Sequence, residues 1–243
     1  MTNPGTKAGI HMLSDAEIKK TKYLLNLRET YYNEGMRNLD FSGVDLSGAD
    51  LHGMQIINTK FDKTILDNVN FYDSQLVGCS FKGASLRRAI LRKADIIDSS
   101  FIDAMLSQAD MSEAKLYKSS ISGCDMHLIK LINAKVISCS FKNTTMLSSN
   151  LSGICISGST YEECDMQHMN AEKSFITNTA FKGSKLNHTS LNNALFYDNR
   201  LENVSTNNML LVETKMDVSL DMFSKARTVD VKNISKSFEE CLN

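Results

Sequence analysis

From Phe41 to Leu201 every fifth residue is apolar: the 33 positions hold Phe, Leu, Ile, Met, Val, Tyr and, once, Ala at Ala171. A helix repeats its side-chain direction every 3.6 residues and a strand every 2, so neither keeps a five-residue stripe on one side over this length. A fixed short period without slippage instead marks a repeat architecture, in which each unit buries its apolar side only by stacking on its neighbours. The positions around each centre are also ordered. Two residues before it the chain is usually small, as at Ala84, Ala89, Ala94, Ala104, Ala109, Ala114, Cys79, Cys124, Cys139, Ser99, Ser119 and Thr144. The other three positions are mostly Asp, Asn, Ser, Gly, Lys and Arg.

A small residue, then Asp or Asn, then Leu or Phe, then two mostly polar residues is the pattern of the pentapeptide-repeat family, and residues 39–203 resemble it throughout. The resemblance implies an all-β solenoid, a right-handed quadrilateral β-helix in which four pentapeptides make one square turn. About eight coils stacked at roughly 4.8 Å would give a rod on the order of 40 Å long. A four-sided coil also predicts that residues 20 apart lie on top of one another. The centres sort accordingly. One side reads Phe41, Phe61, Phe81, Phe101, Ile121, Phe141, Tyr161, Phe181, Leu201, and the next is Leu or Met from Leu46 to Leu186. The third runs from Leu51 through Phe71, Met111 and Ala171 to Leu191, and the fourth is Ile56, Leu76, Ile96, Leu116, Val136, Ile156, Ile176, Phe196. Where the third column shrinks to Ala171, the adjacent small position grows to Met169, which conserves core volume.

With this organisation the chain divides into a flexible leader at residues 1–13, an N-terminal cap helix at 14–35, the β-helix at 36–217, and a C-terminal helical tail at 218–243. Ser14-Asp15-Ala16-Glu17 is a capping box, Gly35 is the helix stop, and Leu220, Met222, Phe223, Ile234, Phe238 and Leu242 supply an apolar face for one or two short helices. The centre pattern breaks at Thr206 and returns at Leu211 and Met216. In the family such a C-terminal segment caps the coil or makes a dimer contact.

Composition narrows the function classes. The chain has 243 residues with 42% hydrophobic and 23% charged residues, a net charge of −1 and a single proline. It therefore lacks the high charge of a disordered chain, an apolar run long enough to span a membrane, and the basic excess of a nucleic-acid binder. Acids and bases are expected to form ladders between coils: Lys142, Glu162, Lys182 and Glu202 on one column, Asp73, Lys93 and Glu113 on another. The basic cluster Arg87, Arg88, Arg92, Lys93 has Asp67, Asp73 and Glu113 one coil away.

No catalytic set or cofactor motif is present. Four of six cysteines, Cys79, Cys124, Cys139 and Cys164, fall on small inward positions where a thiol is a compact hydrophobe. They read as reduced structural residues of a protein in a reducing compartment, bacterial cytoplasm or a host cell. Cys155 points outward and Cys241 lies in the tail, so these two are the candidates for reactivity. His168 and His188 are expected to stack on adjacent coils, with Asp165 near enough for a metal as a lesser reading beside two plain surface histidines.

The one distinctive surface feature is on the fourth side, where positions expected to face solvent read Ile57, Val77, Ile97, Tyr117 and Ile137, with Cys155, Phe175, Leu195 and Tyr197 towards the far end. A contiguous apolar strip of this size marks a contact site. The reading is a non-enzymatic scaffold whose rigid side binds a protein partner or a second copy of the chain, unless the protein's own terminal segments cover the strip. The family resemblance implies two alternatives. One is a DNA-mimic rod that occupies a type II topoisomerase such as DNA gyrase, as quinolone-resistance members do; the other is an effector delivered to a host.

Overall fold

The computed structural model describes residues 27, 29–31, 34–217, 223, 227–229 and 232–233. From Met36 the chain winds as a four-sided parallel β-solenoid of about nine turns. Strands pair in parallel with those 20 residues on, so that Ile56, Leu76 and Ile96 face one another in register. Eleven short strands, beginning with Met36–Arg37, Gln55–Ile57 and Gln75–Val77, form the sheet on the side of the fourth column. Six strands from Ser100–Ile102 to Arg200–Glu202 form a second sheet on the side of the first column. On the remaining two sides successive coils meet through single bridges such as Ile65↔Ser85 and Asn70↔Ile90.

Backbone geometry turns the five-residue spacing into corners. On the bridged sides the N–H three residues after a centre donates to that centre's carbonyl, as Val69 does to Leu66 at 3.1 Å and Ala94 to Leu91 at 3.1 Å. The residue two after each centre adopts a φ of 47–72° at every step from Asn38 to Glu213, as the second central position of a type II turn requires. On the fourth side, where strands replace these turns, side chains of the next coil satisfy the corner N–H groups. Cys79 N–H donates to Ser99 Oγ at 3.0 Å, Ser99 N–H to Ser119 Oγ at 3.2 Å, and Thr179 N–H to Asn199 Oδ1 at 2.9 Å. Polar residues sit at these inward positions because a buried donor without a partner costs about 1–3 kcal/mol.

Of the 33 expected centres all but Leu201, which packs half-buried against the core, are buried. In the first column Phe41, Phe61, Phe81 and Phe101 stack with ring centroids 5.6, 5.1 and 4.6 Å apart. Ile121 interrupts the pile, which resumes with Phe141, Tyr161 and Phe181 at 4.5 and 5.2 Å. These spacings are close to the roughly 4.8 Å between neighbouring strands. Met169 and Ala171 are both enclosed, as their exchange of volume predicts.

The solenoid extends past the strict sequence register at both ends. Met36 is a buried centre paired with Ile56. At the other end Thr206, Leu211 and Met216 are all buried, so the break at Thr206 does not end the coil. Before Met36, Leu27, Glu29, Thr30 and Tyr31 are helical; Leu27 joins the core and Tyr31 packs against it. The leader and most of the expected cap helix lie outside the described residues.

The C-terminal expectation is corrected where 218–243 is described. Arg227–Val229 and Lys232–Asn233 are strands, not helices, and they pair in parallel with Leu210–Val212 and Lys215–Met216. The offset of this pairing is 17 residues, Leu211 facing Thr228 and Met216 facing Asn233. Phe223, buried in the core, stands the same 17 residues after Thr206. The physical reason is the open edge of the preceding coil, whose unpaired backbone groups are satisfied by another strand and not by a helix.

Candidate protein-binding face

Each three-residue strand of the eleven-stranded sheet points one residue inward and two outward, which gives the fourth side two outward columns. The column after the centre carries Ile57, Val77, Ile97, Tyr117 and Ile137, in register from coil to coil and all half-buried. The column before the centre is polar over the same coils, reading Gln55, Gln75, Asp95, Lys115 and Lys135. Arg37 donates to Gln55 Oε1 at 3.3 Å and Lys115 Nζ lies 3.2 Å from Asp95 Oδ1.

Beyond Ile137 the two columns exchange character. Ile137 is followed by Ser157 and Thr177, whereas Lys135 is followed by Cys155, Phe175 and Leu195. The apolar strip therefore changes column once on its way along the rod, and Tyr197 rejoins it from the first column. Its second part is not equally open. Cys155 and Leu195 are only 8% and 7% exposed, while Gln55, Gln75, Lys115 and Lys215 of the same column are exposed. The expectation that Leu195 faces solvent is corrected by this burial. Phe175 and Tyr197 remain half-buried.

Large apolar side chains more open than any in the strip are found elsewhere: Ile65, Ile90, Leu128, Leu147, Tyr72 and Ile102. None of them recurs at the residue 20 positions before or after it, so none continues as a column along the rod. The sequence signal that separates the strip from these is recurrence at a 20-residue interval.

Some of the charged residues pair between coils. Lys142 and Glu162 approach to 3.3 Å and Lys93 and Glu113 to 3.9 Å, two rungs of the expected ladders. In the basic cluster Arg92 meets Glu113 at 3.2 Å, Arg87 lies 3.9 Å from Asp67, and Arg88 donates to Gln108 at 3.3 Å. Exposed pairs of this kind contribute little, typically about 0–1 kcal/mol, but they leave the cluster partly neutralised.

The histidine expectation is met in position. His168 and His188 stack with centroids 4.7 Å apart and planes 3° from parallel. Asp165 is engaged by Gln167 at 3.0 Å and Lys185 at 3.6 Å. Among the described residues no three His, Cys, Asp or Glu side chains converge as a metal site. Four cysteines are free and buried, and burial pushes the thiols of Cys79, Cys124, Cys139 and Cys164 up to about 11. Held as thiols, they are poor nucleophiles, since the thiolate is the reactive form. Cys155, expected as a candidate reactive thiol, differs: it is disulfide-bonded. It stands in the outward column of the fourth side and is nonetheless buried there.

A four-sided parallel coil with a filled interior, every turn paired to the next, defines a class of rigid solenoid scaffold whose outer sides are its working surfaces. Residues 36–131 match the pentapeptide-repeat family. The model of pentapeptide repeats matches the chain in eight copies over residues 36–62, 64–101 and 94–131, and the same geometry continues to Met216. Among solved structures it is similar to HetL, a pentapeptide repeat protein involved in heterocyst differentiation regulation from the cyanobacterium Nostoc sp. strain PCC 7120. That pair shares 21% identity over 91% of this chain and 95% of the other, with a TM-score of 0.40. QnrB1, a plasmid-mediated fluoroquinolone resistance protein, shares 15% identity over 82% of this chain and 90% of its own, with a TM-score of 0.39. A comparison with curated proteins finds no match. Among the described residues no helix is long and apolar enough to cross a membrane.

Proposed function

We propose that this chain is a non-enzymatic scaffold that binds a protein partner through the fourth side of its β-helix. The observation that carries the reading is the column Ile57, Val77, Ile97, Tyr117 and Ile137: five stacked, half-buried apolar side chains on the outer face of a continuous sheet. On a solvated face the outward residues of a strand are ordinarily polar, and neither the centres nor the corners need these side chains. Burying such a strip against a partner adds apolar contact on a surface already rigid, so little ordering cost opposes binding. The four free core thiols fit a reducing, cytoplasmic setting for the rod, and the bonded sulfur of Cys155 weighs against it.

The DNA-mimic reading, with a type II topoisomerase as partner, needs a continuous acidic side. The pairs Lys142–Glu162, Lys115–Asp95 and Lys185–Asp165 interleave the signs and weigh against it.

The test is the pair of substitutions Ile97→Glu and Ile137→Glu. Both residues are outward and half-buried, so the variant is expected to keep the β-sheet circular dichroism of the parent. Affinity capture from bacterial lysate, with sedimentation to detect self-association, is expected to show the loss of a bound protein or of a dimer. An unchanged set of captured proteins and an unchanged mass would refute the assignment of this face. Supercoiling by gyrase, titrated with the protein in parallel, reads the alternative.

A further inference from the structure

The polar column beside the apolar strip narrows what the strip can meet. Over the coils of Ile57, Val77, Ile97, Tyr117 and Ile137 it reads Gln55, Gln75, Asp95, Lys115 and Lys135, and it passes from acid to base once, between Asp95 and Lys115. A surface that binds a copy of itself about a two-fold axis meets its own residues in reverse order, so that residue i faces j and j faces i. A change of sign along such a surface sets acid against base on both sides of the axis. We propose that the fourth side is self-complementary and that two copies of this chain pair through it as antiparallel rods, Ile97 of each against Tyr117 of the other and Asp95 of each against Lys115 of the other. The proposal rests on the reading of this side as a binding face and names its partner.

Geometry leaves few alternatives. Two flat sheets pack face to face with their strands nearly aligned, about 10 Å apart. A two-fold axis along the rod would lay the apolar column of one copy on the polar column of the other and press Asp95 and Lys115 into apolar surroundings, where an unpaired charge is costly. An axis along the strands reverses the rod and sets apolar column on apolar column and polar on polar. Its position is then decided by charge. Through the coil of Ile97 it opposes Asp95 to Asp95, and through the coil of Tyr117 it opposes Lys115 to Lys115; like charges directly opposite are destabilising. Between those two coils it opposes Asp95 to Lys115 twice, and brings Ile97 to Tyr117 and Val77 to Ile137 twice each.

The pair within one chain does not exhaust these charges. Lys115 Nζ lies 3.2 Å from Asp95 Oδ1, yet the two side chains remain 49% and 31% exposed, so in the dimer the four charges alternate in sign around the axis. Ile57 falls opposite Ser157, the first residue after the apolar side chains leave this column, and the apolar contact ends there. Six coils give a contact about 29 Å long and about 10 Å wide. That is roughly 600 Å² of flat area over both copies, small beside a standard interface of about 1,600 Å², and it places the dimer among weak, reversible pairs.

Sedimentation equilibrium of the full-length protein, from about 5 to about 500 µM at low salt, tests the pairing. The parent is expected to fit a monomer–dimer equilibrium. Asp95→Lys and Lys115→Asp, each alone, set like charges across the axis and are expected to weaken it about tenfold or more. An equimolar mixture of the two variants sets base against acid at both contacts, and is expected to dimerise at least as well as the parent. The pair within each chain stays broken in the mixture, so recovery there reports contact between copies. A parent that is monomeric at about 500 µM, dimerisation unmoved by either variant, or weakening without recovery on mixing would overturn the proposal. If the parent is monomeric but a lysate protein is captured and then lost in Ile97→Glu with Ile137→Glu, self-pairing fails and the binding face stands; if nothing is lost, both fail.

Discussion

At Lys118 a substitution normally regarded as harmful should stabilise the protein. Lys118 is exposed and has φ +50°, one step of the series of left-handed residues that turns each corner. For a residue with a Cβ that conformation costs about 1–2 kcal/mol. Lys118→Gly removes that cost and keeps the Lys118 N–H to Ile137 carbonyl bond of 3.1 Å. Against this, glycine adds about 0.4–1 kcal/mol of conformational freedom to the unfolded chain. The difference is a gain of about 0.5–1 kcal/mol. Lys118→Asn, which tolerates the same φ without the unfolded-state cost, should gain about 1 kcal/mol. For a chain of this length that is a rise in Tm of about 2–4 °C per kcal/mol.

Two reverse substitutions separate backbone strain from crowding. Gly158 has φ +59° and a Cβ there would come no nearer than 3.6 Å to Ser138 Oγ, so Gly158→Ala isolates the backbone cost. Gly78 has φ +64° and its Cβ would lie 2.5 Å from Asn58 Oδ1, so Gly78→Ala should cost distinctly more. Ser120, in the strand Ser120–Ser122, serves as the control at an extended position, where Ser120→Gly should destabilise by about 0.5–1 kcal/mol. Urea unfolding of the set, fitted with a common m-value, is the assay. If Lys118→Gly destabilises as much as Ser120→Gly, the assignment of strain to the corner residues is wrong.

Phe81 is fully buried between Phe61 and Phe101 and meets Phe71 edge-on at 6.4 Å, so Phe81→Ala should lower the unfolding free energy by about 3–5 kcal/mol in urea titration. Thr64 Oγ1 donates to the Phe41 carbonyl at 2.7 Å inside the core, and Thr64→Val should cost about 1 kcal/mol by the same measurement. The four core thiols titrate near 9 when unfolded but are raised to about 11 in the coil; their stabilisation is complete below pH 9 and is lost as the pH rises towards 11. Each can contribute up to about 1.4 kcal/mol per pH unit in that window. Cys139→Ala should therefore flatten the decline between pH 9 and 11 relative to the parent, and parallel curves would count against burial as the cause.

The four columns were legible in the sequence because nothing competes with a five-residue stripe that also sorts at 20. Phe61, Leu66, Phe71 and Leu76 are four successive centres on four different sides, and all are fully buried. Thr206 was harder. One hydroxyl among apolar centres looks like an end of the pattern, yet the backbone ladder carries the coil through it to Met216. The Asn199 side chain shows how: its Oδ1 takes the Thr179 N–H and its Nδ2 donates to the Ile176 carbonyl at 2.7 Å. Hydrogen bonding between coils thus continues where the pattern of centres weakens.

The last turn escaped the sequence reading for the same reason in stronger form. Its register is set by the edge of Leu210–Val212 and Lys215–Met216, not by apolar centres. Thr228 and Asn233 occupy the positions that Leu211 and Met216 hold one coil earlier, and an offset of 17 leaves no trace in a comparison at 20. The last turn's strands satisfy the edge of the coil before them, and that demand falls on the backbone and not on bulk at the centres. The apolar strip divides along the same line. Its recurrence at Ile57, Val77, Ile97, Tyr117 and Ile137 was visible because it repeats. The burial of Leu195 and Cys155 was not, because the same column is exposed at Gln55, Gln75, Lys115 and Lys215 and so gives no periodic sign of it. A repeat sequence thus encodes how coils meet one another in detail, and encodes what meets the coils only where that contact repeats.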